Sequence, residues 1–132
     1  MIIVSYKEKN QDFWSIMGYY FANKQIRKEL PYIIDENGKI WVIGFQNSKE
    51  IIGFLSYKIL KETAMITNCY VNSHFRKKGY FKKLISYTLN NKLKDKTKIK
   101  LAVKHEYYDF FLKLGFCISY RKGNYIFMVK EK

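Results

Sequence analysis

Hydrophobic positions along the chain follow two periods, one typical of strands and one typical of helices. Short runs rich in Ile, Val, Tyr and Phe predict strands. These runs are Ile2–Tyr6, Lys39–Phe45, Glu50–Leu60, Thr63–Val71, Lys98–Val103, Phe116–Tyr120 and Tyr125–Val129. Apolar residues three and four positions apart predict helices instead. These helices are Gln11–Lys24, Gln25–Leu30, Gly79–Leu93 and Glu106–Leu114.

Turn and cap residues separate the predicted elements. Asn10 is a predicted N-cap for the first helix, and Gly115 is a predicted stop for the last one. A polar hairpin turn is predicted at Gln46–Lys49. The order of strand, helices, antiparallel strands, helix, strand, helix and strand pair predicts an α/β (α+β) fold. Because no linker or repeat interrupts this order, residues 1–132 are expected to form a single domain.

One junction between a strand and a helix carries a chemical signal. The strand that ends at Val71 leads into a basic loop, Arg76-Lys77-Lys78-Gly79, and a helix follows directly. The first amides of a helix lack intrahelical acceptors and carry partial positive charge. The loop adds full positive charges, and Gly79 lacks the Cβ that would hold a ligand away from the backbone. The sequence therefore predicts a site for phosphate or pyrophosphate at this junction.

The same stretch resembles the acetyl-CoA signature of the GNAT-type N-acetyltransferase superfamily. In that signature an Arg or Gln is followed by two residues, a Gly, one residue and a Gly or Ala. The chain has Arg76-Lys77-Lys78-Gly79-Tyr80-Phe81, so Phe81 departs from the pattern, and its side chain must crowd the cofactor or point into the core. A second segment, Phe110–Phe116, is similar to the late helix of the family.

The resemblance implies a GNAT-like mixed central sheet of six to seven strands with about four helices. The fourth and fifth strands should splay apart, with the pantetheine arm of acetyl-CoA, or of another acyl-CoA, in the gap. Phe111 stands where the family often has a tyrosine. The implied cofactor-binding residues are Cys69, Tyr70, Val71, Arg76, Lys77, Lys78, Gly79, Tyr80, Phe81 and Phe111.

The implied activity is that of an acyl-CoA-dependent N-acyltransferase, most simply acetyl transfer to a primary amine of a small molecule or protein. Such a reaction needs a neutral amine, a polarised carbonyl and a proton for the leaving thiolate. Since Phe111 cannot donate a proton, Tyr108 is the expected donor and Tyr107 the second choice. His105, or Asn68 acting through a water, is the expected base.

The substrate side of the family's fold is built from the first two helices and the loops opposite the cofactor. The expected substrate-binding residues there are Tyr19, Tyr20, Arg27 and Tyr32. Aromatic and basic side chains favour a planar or anionic acceptor, although the same rings also suit packing of a helix on the sheet. Two alternatives stay open: a GNAT-like enzyme that modifies nucleic-acid bases, and a catalytically degenerate GNAT fold that binds nucleic acid or a partner.

The composition is weaker evidence for a nucleic-acid partner than the net charge of +14 suggests. Of the 25 basic residues only Arg27, Arg76 and Arg121 are arginine, and lysine excess of this kind also follows from AT-rich coding. A nucleic-acid partner and the oligomeric state, a homodimer included, therefore stay open.

Other classes of protein fit the sequence less well. No apolar run approaches the ~20 residues of a membrane span, and no leader is evident, so a soluble cytoplasmic protein is expected. Cys69 and Cys117 are expected to be buried in core strands, and no metal site is expected.

Overall fold

The computed structural model describes residues 1–47 and 50–131, whose strands form one mixed sheet. The strands are β1 (Ile2–Tyr6), β2 (Ile40–Phe45), β3 (Ile51–Leu60), β4 (Thr63–Val71), β5 (Lys98–Lys104), β6 (Cys117–Lys122) and β7 (Tyr125–Glu131). They form a seven-stranded sheet in the order β1-β2-β3-β4-β5-β7-β6. Only the β4–β5 pair is parallel among these neighbours. The expected GNAT-like mixed sheet is therefore confirmed.

The helices lie between these strands in the predicted order. They are α1 (Gln11–Ala22), α2 (Lys24–Glu29), α3 (Tyr80–Tyr87) and α4 (Tyr108–Lys113). Asn10 caps α1 as predicted, because its side chain accepts a hydrogen bond from the Phe13 amide. Asn23 ends α1 and caps α2, since its Oδ1 accepts from the amides of Gln25 and Ile26. The first helix is thus shorter than its apolar pattern predicted.

Two helices begin or end at different residues from those that the apolar pattern predicted. The helix predicted over Gly79–Leu93 is α helical only to Tyr87, and a π-helical turn follows over Thr88–Lys92. The Thr88 hydroxyl donates to the Leu84 carbonyl at 2.9 Å, which competes with the regular helical ladder. A 3-10 turn, His105–Tyr107, precedes α4. The turn predicted at Gln46–Lys49 lies partly outside the described residues.

Buried side chains form one cluster on each face of the sheet. Phe13 and Met17 of α1 and Ile26 of α2 pack on Trp41 and neighbouring residues of one face. The opposite face is covered by α3 and α4. Its buried residues include Leu84, Ile85, Phe111, Phe116 and Ile126. Burial of these apolar surfaces supplies most of the driving force for folding, and it fixes the sheet between two helical layers.

The sheet opens between β4 and β5. The two strands pair only through Thr63–Lys98, Ala64–Ile99 and Met65–Lys100. From there to Val71 and Lys104 the strands share no ladder pairs, so their carboxyl ends lie apart. The splayed fourth and fifth strands that the family resemblance implied are present. In the part of the chain that the structure describes, no helix is long and apolar enough to span a membrane.

Candidate functional site

A cleft of about 760 Å³ occupies the gap between β4 and β5. Its walls come from the second half of β4, the end of β5, the start of α3, the start of α4 and the segment after α2. Residues from Met65 to Val71 form one wall, and residues from Leu101 to Lys104 form the opposite one. Polar groups of several elements therefore converge on one concave, largely apolar space, which is typical of a ligand site.

A β-bulge in β4 lies on the wall of this cleft. Phe54 of β3 faces Tyr70, whereas Ser56 faces Thr67, so Asn68 and Cys69 together oppose a single residue of β3. Asn68 adopts a left-handed backbone conformation with φ 53°. A bulge leaves backbone groups out of the ladder and redirects side chains. The bulge therefore presents unpaired backbone to the cleft beside Cys69 and Tyr70.

The helix mouth at the start of α3 has a row of open amides. The α3 helix begins at Tyr80, and its first turn is closed by the Lys83 amide, which donates to the Gly79 carbonyl at 3.1 Å. Within the described chain, the amides of Lys77 to Lys82 meet no backbone or side-chain acceptor. Gly79 has φ +85°, and a Cβ built on it would meet no atom within 4 Å. The mouth is thus unobstructed and suited to a diphosphate.

Arg76 does not stand free beside these amides. Its Nε donates to the Val71 carbonyl at 2.7 Å, and its Nη2 pairs with the Glu29 carboxylate at 2.7 Å. The guanidinium also lies 5.3 Å from the centre of the Tyr70 ring. Arg76 therefore links the basic loop to the end of β4 and to the end of α2. Lys78, also expected at the cofactor, is exposed and lies outside the cleft lining, whereas Lys77 and Gly79 line it.

Phe81 lies against the aromatic start of α4. Its ring stacks on Tyr107 with centroids 5.4 Å apart, and it contacts Phe110 and Phe111 edge-on. Phe81, the residue that departs from the family signature, thus brings the start of α3 into contact with the start of α4 at the edge of the cleft. Of the two orientations left open by the sequence, Phe81 packs into the aromatic cluster while still lining the cleft.

Of the two tyrosines expected as proton donors, Tyr107 is the one that reaches the cleft. It lines the cleft, and burial raises its pKa, with the nearby Glu106 carboxylate acting in the same direction. Tyr108, the expected proton donor, lies outside the lining with the Arg121 guanidinium 5.8 Å from its ring. His105, the expected base, is exposed and also outside the lining. The 3-10 turn before α4 changes the direction in which these neighbours point.

Asn68 is the expected catalytic residue that does line the cleft. Its Oδ1 accepts from the Lys39 ammonium at 2.8 Å and from the Ser56 hydroxyl at 3.2 Å. Burial lowers the pKa of Lys39, while the carboxylates of Glu36 and Asp35 act in the opposite direction. Lys39 was not among the site residues predicted from the sequence. Alternation along the predicted strand would have placed it on the same face as buried Trp41.

The residues expected to bind the amine substrate divide into two groups. Tyr32 lines the cleft, whereas Tyr19, Tyr20 and Arg27 do not. Tyr20 is buried, and its hydroxyl accepts from Asn72 Nδ2 at 2.8 Å, so it ties α1 to the end of β4. Tyr19 and Arg27 are exposed. Glu29 was not a predicted site residue, and it lines the cleft because α2 ends there.

The structural role of Tyr20 gives a testable prediction. Tyr20→Phe removes one partly buried hydrogen bond and should lower the free energy of unfolding by about 1 kcal/mol, measured by urea denaturation. The KM for an amine acceptor should stay unchanged, whereas Tyr32→Ala should raise it. An increased acceptor KM in Tyr20→Phe would restore Tyr20 as a substrate residue.

The two cysteines have different environments. Desolvation raises the pKa of the Cys69 thiol to about 12, so this thiol stays protonated at neutral pH. Cys117 is exposed because β6 is an edge strand of the sheet, which corrects the expectation that both cysteines are buried. Neither forms a disulfide.

Parallel strands that part beside an open helix mouth match the fold that the sequence resemblance implied. The model of the Acetyltransferase (GNAT) family matches residues 6–116, and the chain belongs to this family. It is therefore an N-acetyltransferase whose donor is acetyl-CoA or another acyl-CoA. A comparison with curated proteins finds no match.

Solved structures with the same fold have low sequence identity to the chain. ElaA of Escherichia coli superposes with a TM-score of 0.72 at 15% identity, covering 98% of this chain and 100% of that one. The PaiA N-acetyltransferase of Thermoplasma acidophilum, solved with coenzyme A, gives 0.65 at 17% identity, covering 100% of both chains. An aminoglycoside 6'-N-acetyltransferase, also solved with coenzyme A, gives 0.69 at 16% identity, covering 99% and 97%.

Proposed function

We propose that this N-acetyltransferase moves an acetyl group from acetyl-CoA to a primary amine of a small molecule or a protein. The observation that carries the proposal is the row of unpaired amides at the mouth of α3, directly beside the cleft between β4 and β5. Amides of Lys77 to Lys82 hold the pyrophosphate, and Lys77 adds positive charge. Coenzyme A in two structural relatives supports the same cofactor here.

The remaining roles follow from the cleft walls. The backbone of Cys69, Tyr70 and Val71 pairs with the pantetheine arm, because β4 lacks a partner on this side beyond Met65. Bulge amides next to Asn68 polarise the thioester carbonyl, and preorganised donors of this kind stabilise developing negative charge. The neutral amine attacks the carbonyl carbon, and the C–S bond then breaks.

Proton transfer needs an acid on the cleft wall. Tyr107 gives its proton to the leaving thiolate of CoA, since its hydroxyl stays protonated at neutral pH. The amine loses its proton to a base reached from the same space, where Glu29 and Glu106 are the carboxylates that line the cleft among the described residues. Phe111, buried at the position of the family tyrosine, serves as a wall of the cleft.

Two measurements on the purified chain test the proposal. Calorimetric titration with coenzyme A should give saturable binding, and a thiol-release assay with acetyl-CoA should respond to added primary amines. Absence of CoA binding would overturn the proposal at its first step. Binding without amine-dependent thiol release, or acetylation of an oligonucleotide in place of amines, would overturn the choice of acceptor.

A further inference from the structure

Two of the three buried polar residues of the described chain reach the same atom of the cleft wall. Three polar or charged residues are buried: Lys39 at 3% exposure, Ser56 at 0% and Thr88 at 0%. Thr88 bonds to a carbonyl of its own helix. Lys39 donates to Asn68 Oδ1 at 2.8 Å, and the Ser56 hydroxyl lies 3.2 Å from the same oxygen. The Ser56 hydroxyl also lies 2.7 Å from Thr67 Oγ1 and 3.1 Å from the Thr67 carbonyl. Burying an ammonium and a hydroxyl is costly unless each finds partners, so this convergence needs an explanation.

Lys39 is held in place from several sides. Its Nζ donates to the Ile34 carbonyl at 2.7 Å and lies 3.9 Å from a Glu36 carboxylate oxygen. It also lies 5.3 Å from the centre of the Trp41 ring. Oxygen atoms and an aromatic face around one nitrogen are the surroundings that an ammonium requires. The nitrogen is therefore a fixed donor beneath the β4 bulge.

Two donors on one oxygen determine how the Asn68 amide is oriented. An ammonium has no acceptor, so the atom of Asn68 that faces Lys39 must be the oxygen. When Thr67 Oγ1 donates to Ser56 Oγ, the single Ser56 hydrogen is free for the same Asn68 oxygen, and both lone pairs of that oxygen are then used. The nitrogen then faces the cleft, where one of its hydrogens points to the Tyr32 carbonyl at 3.4 Å. The other hydrogen has no partner within the described residues.

Asn68 is therefore a donor toward the cleft and not an acceptor. Its amide nitrogen can still order a water by donating to it, while the oxygen is held by Lys39. A ligand oxygen at this place gains a hydrogen bond from the Asn68 nitrogen, and a ligand without an oxygen there does not. A simple alkylamine has no oxygen next to its amino group and cannot make this hydrogen bond.

We propose that Lys39 and Ser56 lock the Asn68 amide so that its nitrogen selects acceptors with a carbonyl or carboxylate oxygen next to the amine. Amino acids, amino-acid amides and peptide N-termini belong to this class, whereas simple alkylamines and polyamines do not. The inference rests on the proposed function, because it concerns the acceptor half of the same cleft. Asn68 acts as a specificity-determining residue, and Lys39 is a positioning residue that acts through it.

The test compares two acceptors that differ only in the neighbouring oxygen group. Phenylalaninamide and 2-phenylethylamine share the ring and the amine, and only the first has a carboxamide. The ratio of their kcat/KM values is measured by thiol release from acetyl-CoA. Because the two amines differ in basicity, the informative quantity is the change in this ratio between wild type and variants. That change cancels the intrinsic reactivity of the amines.

Asn68→Asp is the sharpest variant. Aspartate has nearly the same shape and tolerates the left-handed backbone at φ 53°. It keeps an oxygen for Lys39 but presents an acceptor to the cleft. The ratio in favour of phenylalaninamide should fall by about 10-fold, the factor that corresponds to losing one hydrogen bond. An unchanged ratio would overturn the proposal, as would an equal loss of activity with both amines.

Lys39→Met tests the positioning role, with Lys58→Met as the matched control. Lys58 also pairs with Glu36, at 3.6 Å, but among the described residues it makes no hydrogen bond to Asn68. Lys39→Met should reduce the ratio by about 3- to 10-fold, because the amide then turns freely. Lys58→Met should leave the ratio as in wild type.

If Lys39→Met fails to fold, Ser56→Ala removes the second donor and should shift the ratio in the same direction. An unshifted ratio in a folded Lys39→Met, or in Ser56→Ala where that variant replaces it, would overturn the positioning role.

The outcomes separate this inference from the proposed function. An enzyme that binds CoA and acetylates both amines, with a ratio that Asn68→Asp leaves unchanged, contradicts the selection by Asn68 but supports the transferase. A wild-type protein that binds no CoA contradicts the proposed function itself. Activity with 2-phenylethylamine that exceeds activity with phenylalaninamide, and that is unaffected by Asn68→Asp, also overturns the selection.

Discussion

Gly79→Val is expected to weaken coenzyme A binding by about 100-fold or more while the protein stays folded. The valine side chain would fill the open space at the mouth of α3, where no atom lies within 4 Å of an added Cβ. It would keep the diphosphate from the amides of Lys77 to Lys82. Loss of two hydrogen bonds to a charged ligand, each about 1.5–3 kcal/mol, accounts for this factor. Calorimetric titration with CoA measures it.

Gly38→Val is the matched control for this prediction. Gly38 has φ +82° and, like Gly79, no atom within 4 Å of an added Cβ, but it lies outside the cleft lining. Both substitutions place a β-branched residue in the left-handed region and should lower stability by about 1–2 kcal/mol. Only Gly79→Val should affect CoA. Equal CoA affinity in the two variants would mean that the mouth of α3 does not hold the diphosphate.

The helix mouth could be predicted from the sequence because it is encoded by residues that are close together in the chain. A strand, a basic loop with a glycine and an amphipathic helix follow one another between Thr63 and Leu84, and each is determined by neighbouring residues. Local signals also gave the cap at Asn10 and the stop at Gly115. Pairing of the strands and their splay at the cleft came from the family resemblance.

The contents of the cleft depend on contacts that local patterns do not encode. The bulge at Asn68 exists because β4 has one more residue than β3 across this part of the ladder, which is a property of the pair. Lys39 and Asn68 are 29 residues apart in sequence. Cys117 is exposed because β6 happens to be the sheet edge. None of these relations follows from the period of a single element.

The orientations of Tyr107 and Tyr108 also could not be predicted from the apolar pattern of one helix. The apolar pattern predicted a continuous helix from Glu106, which placed Tyr108 near the face of Phe111. The chain instead makes a 3-10 turn over His105–Tyr107, where the residues per turn differ, and α4 begins at Tyr108. Tyr107 consequently stacks on Phe81 in the cleft.

Tyr107→Phe is expected to lower kcat for acetyl transfer by about 100-fold, the size of effect that general acid catalysis supplies. Phenylalanine retains the ring that stacks on Phe81, so the walls of the cleft and the KM for acetyl-CoA should change little. Tyr108→Phe is the matched control, because it removes a hydroxyl from the adjacent residue outside the cleft lining. A larger loss in Tyr108→Phe than in Tyr107→Phe would reverse the assignment.

The pH dependence of kcat adds a second criterion. Burial and the Glu106 carboxylate raise the pKa of Tyr107 above its ordinary value of 10.0. A proton donor works only while protonated, so the contribution of Tyr107 is complete at lower pH and disappears as the pH rises through that raised pKa. The wild-type profile should therefore fall on its alkaline side only above about pH 10. This fall should vanish in Tyr107→Phe and persist in Tyr108→Phe, since only the first variant lacks the titrating donor.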